Sequence, residues 1–183
     1  KTGSLYVRSS RQTQECIRDS LTTAEKKGIL LPKHKGVAAR QMMQLNKVGE
    51  ALGKIKGVTA MTDVTGFGLL GHLVEMAEGS GLSAVIDFDN VPLIITDLTN
   101  YLDQKSVPGG TNRNWDSYGE KIGAITDYQK AILADPQTSG GLLVEVEASA
   151  VEEVKKYFFT KRTGAVFKTS RLLNCTRRYN SKN

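Results

Sequence analysis

The sequence has 183 residues, of which 39% are apolar and 24% charged, and a formal net charge of +6. This length fits one domain with at most a short tail, and no apolar run approaches the roughly 18 residues that a membrane span requires. The N-terminal residues lack the apolar core of a secretory signal. The two cysteines, Cys16 and Cys175, lie far apart, which favours free thiols in a reducing cytosol over a disulfide.

Charge is distributed unevenly along the chain. Residues 1–56 carry a net charge of +8, residues 57–160 one of −9 and residues 161–183 one of +7. A nucleic-acid-binding domain usually has its basic face on the core fold, whereas the middle of this chain is acidic. We therefore interpret the basic ends first as solvated surface or as surface that faces another segment, and second as a contact for phosphate or a polyanion.

The N-terminal third of the sequence predicts short elements separated by polar loops. Residues 1–20 are polar and are expected to be irregular, apart from a strand-like run at 5–7. Residues 21–28 predict a short helix that ends at its glycine. The loop at 32–36 is expected to leave His34 exposed.

A helix, a strand, a glycine turn and a second helix follow one another in the next part of the sequence. Apolar residues at helical spacing predict a single helix over 37–52, and the β-branched run at 57–61 predicts a buried strand. Helical spacing of apolar residues returns over 67–78. The turn between this strand and this helix is Asp-Val-Thr-Gly-Phe-Gly at 63–68.

The turn at 63–68 has the residue types of a magnesium–phosphate site. Asp63 ends the strand, and the free N–H groups and positive dipole end of the following helix favour an anion. A carboxylate beside a bound phosphate requires a cation between them, and Mg²⁺ takes one or two protein carboxylates while phosphate and water complete its shell. The alternative is that Thr65 caps the helix and Asp63 ends the strand without any ligand.

Two further glycine-rich segments carry polar groups suited to an anion. In the segment 107–115, Pro-Gly-Gly forces a turn, and the Thr, Asn, Arg and Asn that follow can direct backbone N–H groups and a guanidinium at an anion. The same residues can equally cap a helix that starts near Trp115. The segment 135–141, Asp-Pro-Gln-Thr-Ser-Gly-Gly, precedes a strand and has no Gly-Lys-Ser/Thr, so it is not a P-loop.

The rest of the sequence predicts alternating strands and helices. The acidic residues at 87–90 are interpreted as a polar turn before Pro92 rather than as a metal site. Strands are predicted at 82–88, 142–146 and 164–167, and helices at 95–102, 124–133 and 148–158.

Three stretches together resemble one known family. They are Met-Thr-Asp-Val-Thr-Gly-Phe-Gly-Leu-Leu-Gly-His at 61–72, Pro-Gly-Gly-Thr-Asn-Arg-Asn at 108–114 and Asp-Pro-Gln-Thr-Ser-Gly-Gly-Leu-Leu at 135–143. They resemble the C-terminal domain of selenophosphate synthetase, also called selenide, water dikinase, and the segment 21–27 resembles the same family. The resemblance is specific because an unrelated chain would not share the order and spacing of all these segments over 21–158.

The resemblance implies an α+β fold. A small mixed β-sheet of about four strands would be covered by helices on one side, as in the C-terminal domain of the aminoimidazole ribonucleotide synthetase-like fold. The domain of selenophosphate synthetase type is expected to span 21–173. It would lie between a poorly matched N-terminal segment at 1–20 and a basic tail at 174–183.

The resemblance also implies a reaction, in which ATP, selenide and water give selenophosphate, AMP and phosphate for selenocysteine synthesis. Mg²⁺ is the implied cofactor, and the full-length enzyme is implied to be a cytoplasmic homodimer. In this family the N-terminal domain holds most of the ATP site, and the C-terminal domain closes it. The family's catalytic Cys or selenocysteine, its Lys and its N-terminal aspartates have no counterpart here. The chain is therefore expected to be a fragment without catalytic residues, inactive in the absence of its N-terminal domain.

The resemblance carries over a limited set of site residues. Asp63 would help to hold the Mg²⁺ that bridges the ATP phosphates. The residues expected to line the nucleotide site are Thr65, Gly66, Gly68, Thr111, Arg113, Asn114, Gln137, Thr138 and Ser139. The alternatives are a basic-ended module for protein interaction or nucleic-acid binding, and another ATP-using member of the same superfamily. Neither a membrane nor a nucleic acid is the expected partner.

Overall fold

The computed structural model describes residues 3–7, 9–10, 18–91, 93–160, 165–166 and 169–171. The strands are β1 (Gly3–Val7), β2 (Ser9–Ser10), β3 (Val58–Asp63), β4 (Leu142–Glu147), β5 (Ala165–Val166) and β6 (Thr169–Arg171). The α-helices are α1 (Arg18–Lys26), α2 (Val37–Met42), α3 (Val48–Leu52), α4 (Gly68–Ser80), α5 (Thr99–Asp103), α6 (Gly109–Tyr118), α7 (Asp127–Leu133) and α8 (Val151–Thr160). None of the helices in these ranges is long and apolar enough to cross a membrane.

The main sheet has the strand order β3–β4–β1–β6, and a second pair joins β2 to β5. Every strand pairing among the described residues is antiparallel, so the prediction of a mixed sheet is wrong. Only two of the four strands predicted from the sequence, now β3 and β4, share the main sheet. The described part of the predicted strand at 164–167 is β5, which lies in the second pair. The strand-like run at 5–7 is part of β1, so the N-terminus is more regular than predicted.

The predicted strand at 82–88 does not form. This segment has no strand of its own and leads into a short 3₁₀ helix at Phe88–Asn90. Its apolar residues Leu82, Ala84 and Ile86 are partly buried and pack on the larger core. Apart from an isolated bridge at Ser83, the alternation that predicted a strand therefore reflects contact with the core.

Strand β4 is buried on both of its faces. Leu142, Val144 and Val146 pack with residues of α3 and α8, while Leu143 belongs to the larger core that includes the apolar side of α4. A near-continuous apolar run is typical of a strand covered on both faces. The predicted cover of helices on one side of the sheet is therefore wrong.

The single helix predicted over 37–52 is two helices, α2 and α3. Between them, the Asn46 side-chain amide donates to the Gly140 carbonyl oxygen at 2.9 Å. Met43 and Leu45 in this interruption are 72% and 68% exposed, although helical spacing placed Leu45 on the apolar face. A tertiary hydrogen bond thus competes with local helical spacing at this point, as asparagine side chains commonly do.

His34 is buried and not exposed, contrary to the sequence prediction. Its Nδ1 atom lies 2.5 Å from the Tyr101 hydroxyl oxygen, and its Nε2 atom lies 3.2 Å from a carboxylate oxygen of Asp97. The Tyr101 hydroxyl oxygen also accepts a hydrogen bond from the Leu31 amide at 3.1 Å. These bonds hold the loop before α2 against α5.

Local capping chemistry fixes two of the helix ends, of which the sequence predicted the first. Helix α1 is followed by Gly28, whose φ of +71° lets the chain leave the helix. Helix α7 begins after Thr126, which forms a capping box with Gln129. The predicted helices at 124–133 and 148–158 are confirmed as α7 and α8, with later starts.

Candidate functional site

The three glycine-rich segments lie at the ends of regular elements. Residues 63–68 connect β3 to α4 and are called the acidic turn; residues 135–141 connect α7 to β4 and are called the entry loop. Residues 108–114 are called the helix start, because Pro108 is the N-cap residue of α6 and the helix begins at Gly109. The sequence placed this helix start several residues later, near Trp115.

The acidic turn lies directly against the entry loop. The Val64 amide donates to the Gly141 carbonyl oxygen at 2.8 Å, and the Gln137 amide donates to the Thr65 carbonyl oxygen at 3.0 Å. At Gly140 a Cβ atom would lie 1.8 Å from the Val64 carbonyl oxygen, so the backbones can approach this closely only because no side chain is present. These two segments therefore form one rigid unit.

Helix α6 connects the helix start to the same unit. The Asn114 side-chain amide is buried and donates to the carbonyl oxygens of Gly66 at 2.8 Å and Ala134 at 2.9 Å. One turn further along, the Tyr118 hydroxyl donates to the Phe67 carbonyl oxygen at 2.7 Å, and burial raises the pKa of Tyr118. The structure thus brings all three predicted segments together.

Gly68 begins α4 at a point of close backbone contact. Its φ is +70°, and a Cβ atom there would lie 2.8 Å from the carbonyl carbon of Ala134 and 2.9 Å from the carbonyl oxygen of Asp135. Glycine is required at this position for both reasons. Packing between the acidic turn and the entry loop is therefore enough to explain why residue 68 is a glycine, without any contact to a ligand.

Asp63 is accessible at the end of β3. It pairs with Leu142 at the start of β4, its side chain is exposed, and it takes part in no ion pair among the described residues. No group of three or more His, Cys, Asp or Glu side chains suited to a metal occurs among those residues. One free carboxylate nevertheless fits Mg²⁺, because this ion is bound through one or two carboxylates together with phosphate and water.

A hydroxyl, an imidazole and a carboxylate form a chain beside the acidic turn. The Thr65 Oγ1 atom lies 3.1 Å from Nε2 of His72, and Nδ1 of His72 lies 3.1 Å from Oε2 of Glu75. His72 is buried, and its ring meets the Phe67 ring edge-on at a centroid distance of 6.0 Å. The side chain of Thr65 is therefore held in place by a buried partner, while Glu75 remains 62% exposed.

A cleft of about 470 Å³ opens between α1 and the start of α6. Its lining includes the cationic side chains of Lys26 and Arg113, the hydroxyl-bearing residues Thr22 and Thr23, and Asp19. Burial raises the pKa of Asp19, although neighbouring positive charges oppose this shift. The cations and the N-terminal end of α6 make the cleft suitable for an anion.

Asp135 is a buried carboxyl group whose importance the sequence did not reveal. It accepts hydrogen bonds from the Ser20 hydroxyl at 2.8 Å, the Asp19 amide at 3.2 Å and the Gln137 side-chain amide at 3.1 Å. Burial raises the pKa of Asp135 to about 8, and the hydrogen bonds from Ser20 and Asp19 only partly oppose the shift. Because Ser20 and Asp19 open α1, this side chain attaches the first helix to the entry loop.

The predicted site residues divide by exposure. Of the ten, five are exposed, Thr65 is partly buried, and the other four are buried. The buried Thr111 hydroxyl has no hydrogen-bond partner within the described residues, and the buried Gln137 serves Asp135. The exposed residues are Asp63, Gly66, Arg113, Thr138 and Ser139, and the buried residues are Gly68, Thr111, Asn114 and Gln137.

The fold and the joined glycine segments define the class of protein, and comparison with known families agrees. The model of the family described as "AIR synthase related protein, C-terminal domain" matches residues 17–163. The chain therefore belongs to this family, as the sequence motifs predicted.

Among individual proteins, the chain is similar to enzymes named "Selenide, water dikinase". It is 58% identical over 134 residues to the one from Haemophilus influenzae, which covers 73% of this chain and 38% of that protein. The relative from Photorhabdus laumondii is 55% identical over 135 residues, covering 74% of this chain and 39% of that protein. The matched region thus spans well under half of these relatives.

A solved structure supports the fold alone. The crystal structure of Escherichia coli HypE, a hydrogenase maturation protein, superposes with a TM-score of 0.53 at 14% sequence identity. The superposition covers 94% of this chain and 44% of that one. Identity this low carries no argument about substrate or partners.

Proposed function

We propose that this chain is the C-terminal part of an ATP-dependent selenophosphate synthetase and forms one wall of its magnesium–phosphate site. The reaction would convert ATP, selenide and water to selenophosphate, AMP and phosphate. The observation that carries the proposal is the junction of the acidic turn, the helix start and the entry loop through direct hydrogen bonds. The identity of 58% to a selenide, water dikinase supports the choice of substrate.

Asp63 is the proposed metal ligand. Its carboxylate is exposed at the end of a strand whose neighbour, β4, fixes it through the sheet register. When bound, Mg²⁺ would neutralise charge on the phosphate oxygens and so lower the barrier to attack on phosphorus. The contribution of Asp63 is to hold that charge at a fixed place beside the acidic turn.

The cleft beside α1 is proposed to receive phosphate oxygens. Arg113 presents a guanidinium with several donors in a plane, which suits phosphate geometry. Lys26 adds a second positive charge from the opposite wall, and both side chains are exposed enough to move onto a ligand. The buried Asn114 keeps this wall in contact with the acidic turn. The phosphate-binding side chains and the Asp63 carboxylate are therefore held at fixed positions relative to each other.

The site proposed here is incomplete within the described residues. No group of three or more His, Cys, Asp or Glu side chains suited to a metal surrounds Asp63 in this part of the chain, and the phosphate-binding groups lie on an open cleft. We therefore propose that a further domain supplies the remaining groups, that the whole enzyme is a cytoplasmic homodimer, and that this chain by itself does not produce selenophosphate.

Complementation tests this function. A chimera in which this chain replaces the matched region of the Haemophilus influenzae relative is expressed in a bacterial strain that lacks selenophosphate synthetase. Restored incorporation of selenium into protein is the expected result. Failure of a well-folded chimera to restore it, with the unaltered relative active in the same strain, would favour another ATP-using member of the superfamily.

A further inference from the structure

The side chains of Thr65, His72 and Glu75 form a series of hydrogen bonds that determines where the threonine hydroxyl proton points. The role inferred from this for Thr65 rests on the proposed function. His72 is buried, and its two ring nitrogens face the Thr65 hydroxyl and the Glu75 carboxylate. Both contacts measure 3.1 Å, which is hydrogen-bond distance. The direction of each bond follows from what each partner can donate.

The carboxylate sets the tautomer of the imidazole. An ionised carboxylate can only accept, so the contact with Glu75 requires the proton of neutral His72 to lie on Nδ1. Nε2 is then a lone-pair acceptor, and the contact with Thr65 requires the threonine O–H to donate to it. The single hydroxyl proton of Thr65 is therefore used in the hydrogen bond to His72 and is not available to a ligand.

A threonine that has committed its proton can offer only lone pairs to a ligand. We propose that His72 and Glu75 are positioning residues that turn the Thr65 oxygen into an acceptor for hydrated Mg²⁺ beside Asp63, and not into a donor to phosphate. Oxygen lone pairs are the contacts that this ion and its waters require. Thr65 lies two residues from Asp63 in the acidic turn, and its side chain is only partly buried.

His34 provides an internal comparison, since the chain contains two histidines. Nε2 of His34 faces the carboxylate of Asp97, whose pKa is lowered mainly by the hydrogen bond from Lys33 and which can only accept. Nε2 therefore carries the ring proton and donates to Asp97. Nδ1 of neutral His34 is then a lone-pair acceptor, so the Tyr101 hydroxyl, which accepts a hydrogen bond from the Leu31 amide, donates to it. The two histidines are thus expected to be opposite tautomers, with the proton on Nδ1 in His72 and on Nε2 in His34.

Nitrogen NMR of the imidazole rings tests the first half of the inference in this chain. Long-range ¹H–¹⁵N spectra at pH 8 should show one ring of each tautomer, with the Nδ1-protonated ring lost in the His72→Gln variant. Glu75→Ala should shift His72 toward a mixture of tautomers. Glu75→Gln should preserve the tautomer, because the amide oxygen can still accept from Nδ1. An Nε2-protonated His72 in the unaltered chain would overturn the proposal.

Metal binding tests the second half. In the chimera described above, electron paramagnetic resonance measures the dissociation constant of Mn²⁺, used as a probe for Mg²⁺, in the presence of a non-hydrolysable ATP analogue. Thr65→Val and Glu75→Ala should each weaken Mn²⁺ binding by about 10-fold, the equivalent of one hydrogen bond of about 1.4 kcal/mol. The conservative variants Thr65→Ser and Glu75→Gln should each bind Mn²⁺ with a dissociation constant close to that of the unaltered chimera.

Thr62 supplies the matched control for this measurement. It is adjacent to Asp63, and within the described residues its hydroxyl donates to the backbone carbonyl of Asp63 at 3.3 Å. Thr62→Val should leave Mn²⁺ affinity unchanged, whereas equal effects at Thr62 and Thr65 would overturn the proposal. A chimera that binds Mn²⁺ through Thr65 but makes no selenophosphate would refute the proposed function and leave this inference standing.

Discussion

The inner junction of the site and its outer rim are built in different ways. At the junction, Asn114, Gln137 and Gly140 are buried, and each is bonded to or packed against another of the three glycine-rich segments. At the rim, Asp63 and Arg113 are exposed and lie outside these bonds. The comparison indicates that residues of one sequence motif divide into those that fix the backbone and those that are free to meet a ligand.

The largest effect is expected at the closest backbone contact of the junction. Gly140→Ala would place a methyl group 1.8 Å from the Val64 carbonyl oxygen, so we expect the free energy of unfolding to fall by more than about 4 kcal/mol. Urea unfolding followed by circular dichroism measures this change.

Gly79 in α4 is the control for that substitution, since a Cβ atom there would meet nothing within 4 Å. Gly79→Ala should stabilise the protein by about 0.5–1 kcal/mol because alanine favours the helix. Similar stability of the two variants would show that the acidic turn and the entry loop are not packed as described.

The next effect is a pH dependence that originates at Asp135. Its pKa is about 8 in the folded protein against 3.8 as the unperturbed value, so the folded state retains a proton that the unfolded chain loses over this range. Its contribution to stability is therefore fully present below about pH 4 and is lost as the pH rises through about 8.

We expect the free energy of unfolding to decrease between pH 5 and pH 9 by a few kcal/mol. Asp135→Asn, which keeps the shape and carries no charge, should flatten this profile. A profile that is unchanged in this variant would contradict the raised pKa. Thermal unfolding across the pH range supplies the measurement.

A smaller loss is expected when the bridge between α6 and the acidic turn is removed. Asn114→Ala leaves the carbonyl oxygens of Gly66 and Ala134 without their donor, and should cost about 2–3 kcal/mol. Asn112→Ala, two residues earlier and exposed, should change stability by less than about 0.5 kcal/mol. Equal costs at the two positions would remove the distinction between junction and rim.

The smallest effect on stability is expected at the rim itself. Asp63→Ala removes an exposed carboxylate at the end of a strand, and the free energy of unfolding should change by less than about 0.5 kcal/mol. A larger loss, measured by urea unfolding, would mean that Asp63 serves the fold and would weaken its assignment as a ligand.

Sequence patterns predicted local features of this molecule better than distant ones. The end of α1 at Gly28 and the strand–turn–helix around Asp63 depend on neighbouring residues, and both were predicted. The break between α2 and α3 was missed because it depends on a bond from Asn46 to Gly140, 94 positions away. The predicted strand at 82–88 failed for a related reason, since its alternation is satisfied by the core.

The same limit applies to the candidate site. Motif order predicted which segments belong together, but it could not separate ligand-facing residues from buried ones. The sequence places Asp135 in a motif but does not reveal it as a structural carboxyl, because its partner Ser20 lies 115 positions away in a segment expected to be irregular. The Thr65–His72–Glu75 chain was also missed, although His72 and Glu75 are three residues apart on one helix.

We infer that Asp63 acts on a ligand that the junction holds in place. Selenophosphate formation by the chimera, measured by ³¹P NMR, tests it directly when Asp63→Ala is compared with Asp103→Ala, a substitution of an exposed aspartate on α5. We predict a loss of about 100-fold or more for Asp63→Ala with an unchanged unfolding curve, and no loss for Asp103→Ala. Near-normal turnover of a folded Asp63→Ala chimera would contradict the account.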